Sequence, residues 1–228
     1  MSLKKSLQSG YSLLELLIAM TVLLMLMAVA TTLFARALGV RARESRTTDA
    51  LTSAYAALNL ISREMSNSGF GLADPVKGRA VNGIEIADSG DHQIHVRSNF
   101  TNEVSYTDAN APGQTLDPGE DVTYFFEPDT KSIVRYDPHP CQSSNPTCSD
   151  PTTSVVVNKI SNVEFQYYDY FLSGSVITGP HNVPSAATGR IVITVSVELD
   201  KVEGQPDHTV SFSTEVNLRN SNYMLQQY

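Results

Sequence analysis

Groups whose type and spacing can do chemistry are few in this chain. Cys141 and Cys148 are the only thiols, in the run Pro140-Cys-Gln-Ser-Ser-Asn-Pro-Thr-Cys. A metal site needs more ligands than this pair with neighbouring His139, because Cys2His is an incomplete set. Outside the reducing cytoplasm the two thiols oxidise instead, and a disulfide across so small a loop contributes on the order of 2–2.5 kcal/mol. His92 and His95 are three apart, which suits a helix face but puts them on opposite faces of a strand, so no ligand pair is expected. The acidic turn Asp117-Pro118-Gly119-Glu120-Asp121 offers oxygen ligands for Ca²⁺, but such turns are more often simply solvated. No cofactor is therefore expected, with calcium as the weaker alternative. No G-x-S-x-G, H-E-x-x-H, Walker A loop or glycine-rich dinucleotide fingerprint occurs, and the chain reads as a non-enzyme.

The remaining reactive group is Glu15, and its surroundings make it unusual. From Leu16 to Phe34 run nineteen residues without a charge, LLIAMTVLLMLMAVATTLF. As a helix they span roughly 28 Å, enough to cross a hydrocarbon core. A carboxylate entering that core costs about 2.5–3.5 kcal/mol, so it ordinarily has a partner or a function. Lys4 and Lys5 precede the run and orient the N-terminus toward the cytoplasm. That places the rest of the chain, with its cysteines, on the other side.

Three explanations compete for this segment. A cleaved secretory signal has a plausible site at Ala28-Val29-Ala30, but its apolar region is normally shorter and carries no acid. A plain signal anchor tolerates the length and leaves Glu15 without a purpose. The third rests on Lys4-Lys5-Ser6-Leu7-Gln8-Ser9-Gly10 followed by Tyr11-Ser12-Leu13-Leu14-Glu15-Leu16-Leu17-Ile18-Ala19-Met20. This phrase resembles the class III signal of type IV pilins and type II secretion pseudopilins. The resemblance implies that a prepilin peptidase cuts between Gly10 and Tyr11 and that the new N-terminus, Tyr11, is methylated. It also implies that Glu15, at the fifth mature position, pairs in the filament with the amine of a neighbouring subunit. A charge that is costly alone then pins the register. The family usually has Phe where this chain has Tyr11.

The elements beyond this segment divide by composition. Every proline lies at or after Pro75, and Gly39 is the only glycine between Gly10 and Gly69, so residues 11–68 read as near-continuous helix. Leu51, Tyr55, Leu58, Ile61 and Met65 recur as one helical face to pack on a sheet. Gly69 is a candidate terminator, and Gly39 a candidate bend. The Arg group at 36, 41, 43 and 46 marks the exit from the membrane rather than a nucleic-acid site. After residue 64 there are nine Lys/Arg against twenty Asp/Glu, a net of −11 within a chain of −8 overall. This acidity argues against a nucleic-acid partner.

Strand patterns fill the acidic part. Short alternating runs at Gly83–Ile86 and Gln93–Arg97, a hairpin from Val122–Phe126 to Ser132–Tyr136, and Val163–Tyr168 precede two long alternations, 191–199 and 210–218. Residues 98–121 and 137–154 read as long loops. The expected class is α+β, a long N-terminal helix packed on a mostly antiparallel sheet. Its parts are a leader at 1–10, a transmembrane and assembly helix at 11–35, an amphipathic second half at 36–69, and an acidic extracytoplasmic head at 70–228.

Leu60-Ile61-Ser62-Arg63-Glu64-Met65-Ser66-Asn67-Ser68-Gly69-Phe70, the aromatic stretch Val163–Tyr170, and Val216-Asn217-Leu218-Arg219-Asn220 are similar to PilW-type minor pilins and, more loosely, to J-type minor pseudopilins. This resemblance implies a minor subunit that primes or caps a type IV pilus. Its partners would be the prepilin peptidase, other minor pilins, the major pilin and, before assembly, the bacterial inner membrane. The alternatives are a pseudopilin of a type II secretion system and an adhesin or DNA-binding module displayed on the same stalk.

Overall fold

A computed structural model describes residues 11–73, 79–100, 117–139, 151–171, 176–199 and 208–222. The α-helix α1 covers Leu13–Ser66 and runs unbroken through Gly39. Gly39 lacks any neighbour within 4 Å of where a Cβ would stand, so nothing in the structure requires glycine there. The chain forms two compact units, 1–47 and 48–228. The first contributes the exposed apolar part of α1; the second holds the rest of α1 and the head.

Within the head, α1 ends where backbone meets backbone. The last turn tightens through Asn67 N–H to Glu64 C=O (3.2 Å) and Ser68 N–H to Met65 C=O (3.0 Å). Gly69 then turns left-handed at φ 80°, as its sequence position suggested. A Cβ on Gly69 would lie 2.1 Å from the Val81 carbonyl oxygen, and one on Gly83 2.1 Å from the Gly69 nitrogen. Two segments cross here at a distance only glycine permits. The Asn220 side-chain amide donates to the carbonyls of Asn67 (3.3 Å) and Ser68 (3.1 Å). It thereby occupies acceptors that the helix end leaves open.

Among the described residues eight strands form two antiparallel four-stranded sheets. The first has the order β1 (Gln93–Arg97), β2 (Asp121–Glu127), β3 (Ser132–Asp137), β4 (Thr152–Asn158). The second has the order β6 (Val176–His181), β5 (Asn162–Phe171), β7 (Thr188–Leu199), β8 (His208–Asn217). The α+β class stands, with two sheets where one was expected. The anticipated hairpin is β2–β3, with Phe126 opposite Ile133, and the two long alternations are β7 and β8 with Val195 opposite Phe212.

Several expectations change. Ile84 makes a single bridge to Val96 and the chain then coils into a 3-10 turn, Ile86–Asp88, so the run at 83–86 is not a strand. β4 occupies the end of the expected 137–154 loop, and β6 had no sequence signal strong enough to separate it from turn residues. β6 holds Gly179 and Pro180 and has all six residues exposed, whereas apolar alternation marks only strands with one covered face.

Apolar faces of both sheets and of α1 meet in one core. Ala54, Ala57, Leu58, Ile61 and Met65 of α1 pack with Ile94, Tyr124 and Ile133 of the first sheet and with Val163, Phe165, Tyr167, Ile191, Ile193 and Val195 of the second. The buried helix face is thus rotated from the expected one. Leu51 is half-buried, and Tyr55 stays 54% exposed at the rim, its ring 5.4 Å from that of Phe212. Ala54 and Ala57, whose side chains end at Cβ, are buried on that face. Phe165 N–H donates to Asp91 C=O (2.7 Å) and Tyr167 O–H to Gly90 C=O (2.7 Å), joining the sheets next to β1.

Candidate functional site

Tyr11 and Ser12 precede α1, and the first helical bond runs from Leu16 N–H to Ser12 C=O at 3.1 Å. Tyr11 is 86% exposed. Glu15 falls in the first turn, where unpaired backbone N–H groups favour an anion. Its carboxylate finds no hydrogen-bond or ion-pair partner among the described residues.

From Leu16 to Phe34 the helix is exposed and apolar except for three threonines. Its best window has a mean hydropathy of 2.6, none of it buried, so the helix is long and apolar enough to cross a membrane. The hydroxyls that interrupt this surface are satisfied within the helix. Thr21 donates to Ile18 C=O (2.8 Å), Thr31 to Met27 and Ala28 (3.0 Å each) and Thr32 to Val29 (2.8 Å). Such back-bonding removes the polar demand that an apolar environment would penalise.

Gly10, the residue before the expected cleavage point, and both Cys141 and Cys148 lie outside the described residues, as do Lys4 and Lys5. The acidic turn does not gather its carboxylates. Glu120 turns back on the chain, accepting Phe100 N–H at 2.6 Å and Asp117 N–H at 3.2 Å, while Asp121 faces His95 and Arg97. Among the described residues no group of three His, Cys, Asp or Glu is placed to hold a metal ion. His92 lies just before β1 rather than on it, so strand alternation does not describe the pair: the ring of His92 lies 2.6 Å from Val163 C=O and that of His95 points to Asp121.

Polar clamps in the head escaped sequence reasoning. Glu64 accepts from Tyr124 O–H (2.5 Å) and Arg135 Nε–H (3.2 Å), and Arg135 also donates to Asp137 (3.2 Å). Burial works against the Arg135 charge, but the charge and hydrogen bond of Glu64, with Tyr124 and Asp137 beside them, together raise the guanidinium pKa. Burial, followed by the Glu64 charge, pushes the Tyr124 phenol far up, so it stays a donor. This clamp ties the end of α1 to β2 and β3. Asp169 accepts from Ser185 Oγ (2.6 Å) and Thr188 Oγ1 (2.7 Å), while the Asn82 amide donates to the carbonyls of Ser185 (2.9 Å) and Thr188 (3.0 Å). The sequence signal for the first clamp was Glu64 beside Ile61 and Met65, an acid next to a core-facing stripe.

The prokaryotic N-terminal methylation motif matches residues 5–31, from the leader through the apolar run. No curated protein and no solved structure matches the chain. The matched segment is a type IV pilin-like prepilin signal; it runs into the apolar helix, and a β-rich head follows. Proteins with this signal are structural subunits, and the motif implies prepilin peptidase processing in a pilus-assembly context. The long apolar helix is consistent with membrane anchoring.

Proposed function

We propose that the chain is a minor type IV pilin, PilW-like, that primes or caps pilus assembly after cleavage between Gly10 and Tyr11 and methylation of Tyr11. The observation that carries this reading is Glu15: an exposed carboxylate at the head of an uncharged helix, with no partner among the described residues of its own chain. The amine freed at Tyr11 of a neighbouring subunit is a partner of the right charge at the same membrane depth. Pairing turns the cost of a lone buried charge into a constraint on register. Before assembly the chain is a single-pass protein of the bacterial inner membrane with its head outside the cytoplasm, where Cys141 and Cys148 form a disulfide. Its partners are the prepilin peptidase, the other minor pilins and the major pilin; no nucleic acid is among them.

Support for the minor role comes from the head. A subunit repeated along a shaft brings copies of itself together at every rise, and a head at −11 repels its copies unless counterions compensate. An end position avoids that repulsion. Quantitative mass spectrometry of sheared fibres tests the assignment: a trace subunit is expected, and finding this chain as the most abundant pilin would overturn it. Recovery in a secretion pseudopilus instead would assign it to the J-type alternative.

A further inference from the structure

Both nitrogens of the His95 ring face carboxylate oxygens. Nε2 lies 2.5 Å from Asp121 Oδ1 and Nδ1 lies 3.3 Å from Asp88 Oδ2. A neutral imidazole carries one N–H and serves only one of these acceptors; it satisfies both only as the imidazolium. The side chain is 11% exposed, so water offers little alternative. The second oxygen of Asp121 faces Arg97 Nε at 3.4 Å, close enough for an ion pair but without hydrogen-bond geometry, and Arg97 also holds Glu85 at 2.8 Å.

The five side chains form one line, Asp88–His95–Asp121–Arg97–Glu85, and its two ends bracket the 3-10 turn Ile86–Asp88. Inside that turn the backbone bonds are long: Asp88 N–H to Glu85 C=O is 3.3 Å and Ser89 N–H to Ile86 C=O is 3.4 Å. Other bonds also tie the turn to β1: Glu85 N–H to His95 C=O (3.0 Å), His95 N–H to Ser89 Oγ (3.0 Å) and Gln93 Nε2–H to Asp88 C=O (2.8 Å), with Ser89 Oγ–H donating to Glu85 C=O (2.8 Å); the grip of its acids on β1 and β2 adds to these. Glu85 and Ile86 also line a cavity of about 380 Å³ with Arg79, Asn82 and Ile84.

We propose that His95 is a protonation-controlled latch: as the imidazolium it bridges Asp121 of β2 and Asp88 of the turn, and loss of its proton gives up one of the two contacts and loosens the Ile86–Asp88 turn beside the cavity. The groups facing the ring are Asp121 from β2, Asp88 from the turn and Arg97 from β1 itself, while His139, beyond β3, acts on Asp121. Two carboxylates against one guanidinium favour the proton. The hydrogen bond with Asp121 is the largest influence and lifts the His95 pKa above 6.5 against the opposing effect of burial. On Asp121 burial acts upward, yet its bond and charge pairing with His95 bring its pKa below 3.8. The latch is thus complete below pH 6.5, is lost as pH rises through the folded-state His95 pKa, and is lost again in acid as Asp121 is protonated.

The latch rests on head geometry alone and is independent of the filament assignment. Its test is ¹⁵N NMR of the full chain in detergent with labelled histidine, the His95 signal being identified by its loss in His95→Gln. Both ring nitrogens are expected to be protonated at about pH 6, with a midpoint above the ordinary histidine value of about 6.5. Amide exchange protection at Asp88 and Ser89, normalised to intrinsic rates, is expected to fall over the same pH interval in the wild type and to show no such step in His95→Gln. Asp88→Asn changes a side chain that is 59% exposed, keeps the fold and lowers the midpoint. A His95 midpoint at or below about 6.5, a titration without change in protection, or a midpoint unmoved by Asp88→Asn would each overturn the proposal.

Discussion

The two halves of α1 are built from similar residues and meet opposite surroundings. In the first, Leu13, Leu16, Leu23 and Leu26 are each more than half exposed, whereas in the second Leu58, Ile61 and Met65 are 3% exposed or less. The second half finds its apolar partners in the sheets of its own chain. The first finds none, and at about 1.5–3 kcal/mol for each large apolar side chain taken out of water it cannot remain so in an aqueous setting. Lipid, and then the helices of other subunits, supply the missing contact in the proposed function. One half of the helix stabilises the monomer; the other stores affinity for an environment the monomer does not contain.

Substitutions that act on one half and spare the other break or sharpen this contrast. Glu15→Val eases insertion and removes the group proposed to find its partner in another subunit. Since removing one member of a buried pair costs about 3–5 kcal/mol, incorporation into sheared fibres should fall at least tenfold while the head melts as before. Unchanged incorporation would refute the pairing. In the head half, Ile61→Ala empties a site with 0% exposure. It should lower stability by about 2–5 kcal/mol in denaturant melts. Leu24→Ala, at 64% exposure, should leave the same transition in place.

Glycines give the same contrast with opposite signs. Gly83→Ala places a methyl 2.4 Å from the Arg97 carbonyl oxygen and against the Gly69 nitrogen, at a backbone φ of +72°. A side chain forced into that conformation and that clash should cost about 2 kcal/mol or more in the same melts. Arg135→Met follows, leaving Glu64 to face Tyr124 without its cation. The arginine side chain is 18% exposed, so water screens the pair only in part. A loss of about 1–2 kcal/mol in thermal unfolding is expected. Smallest, and stabilising, is Gly39→Ala, which meets open space. It should strengthen the helix by about 1 kcal/mol, read as a gain in helicity of the full chain in detergent.

What could be read from the sequence followed how local each signal is. The apolar run, Glu15 and the missing prolines are contiguous and marked α1 and its exposed half. β7 and β8 were visible because Ile191, Ile193, Val195 and Val197 alternate with partly exposed neighbours on a one-sided sheet. β4 was hidden because Thr152–Val155 are exposed on both faces, leaving no alternation to detect. The rotated helix face was hidden for a different reason: Ala54 and Ala57 are small, and the larger apolar side chain of Tyr55 lies beside them in the sequence. The clamps at Glu64–Arg135 and His95–Asp121 join residues 71 and 26 positions apart, a pairing no local pattern encodes.

The central claim, a prepilin-type subunit processed at its N-terminus, is tested most directly by the intact mass and N-terminal sequence of the mature protein from membranes. The account predicts a chain that begins at Tyr11 and carries a methyl group on its amine. A mature chain beginning at Thr31, just after the Ala28-Val29-Ala30 site, would show an ordinary secretory signal and contradict it.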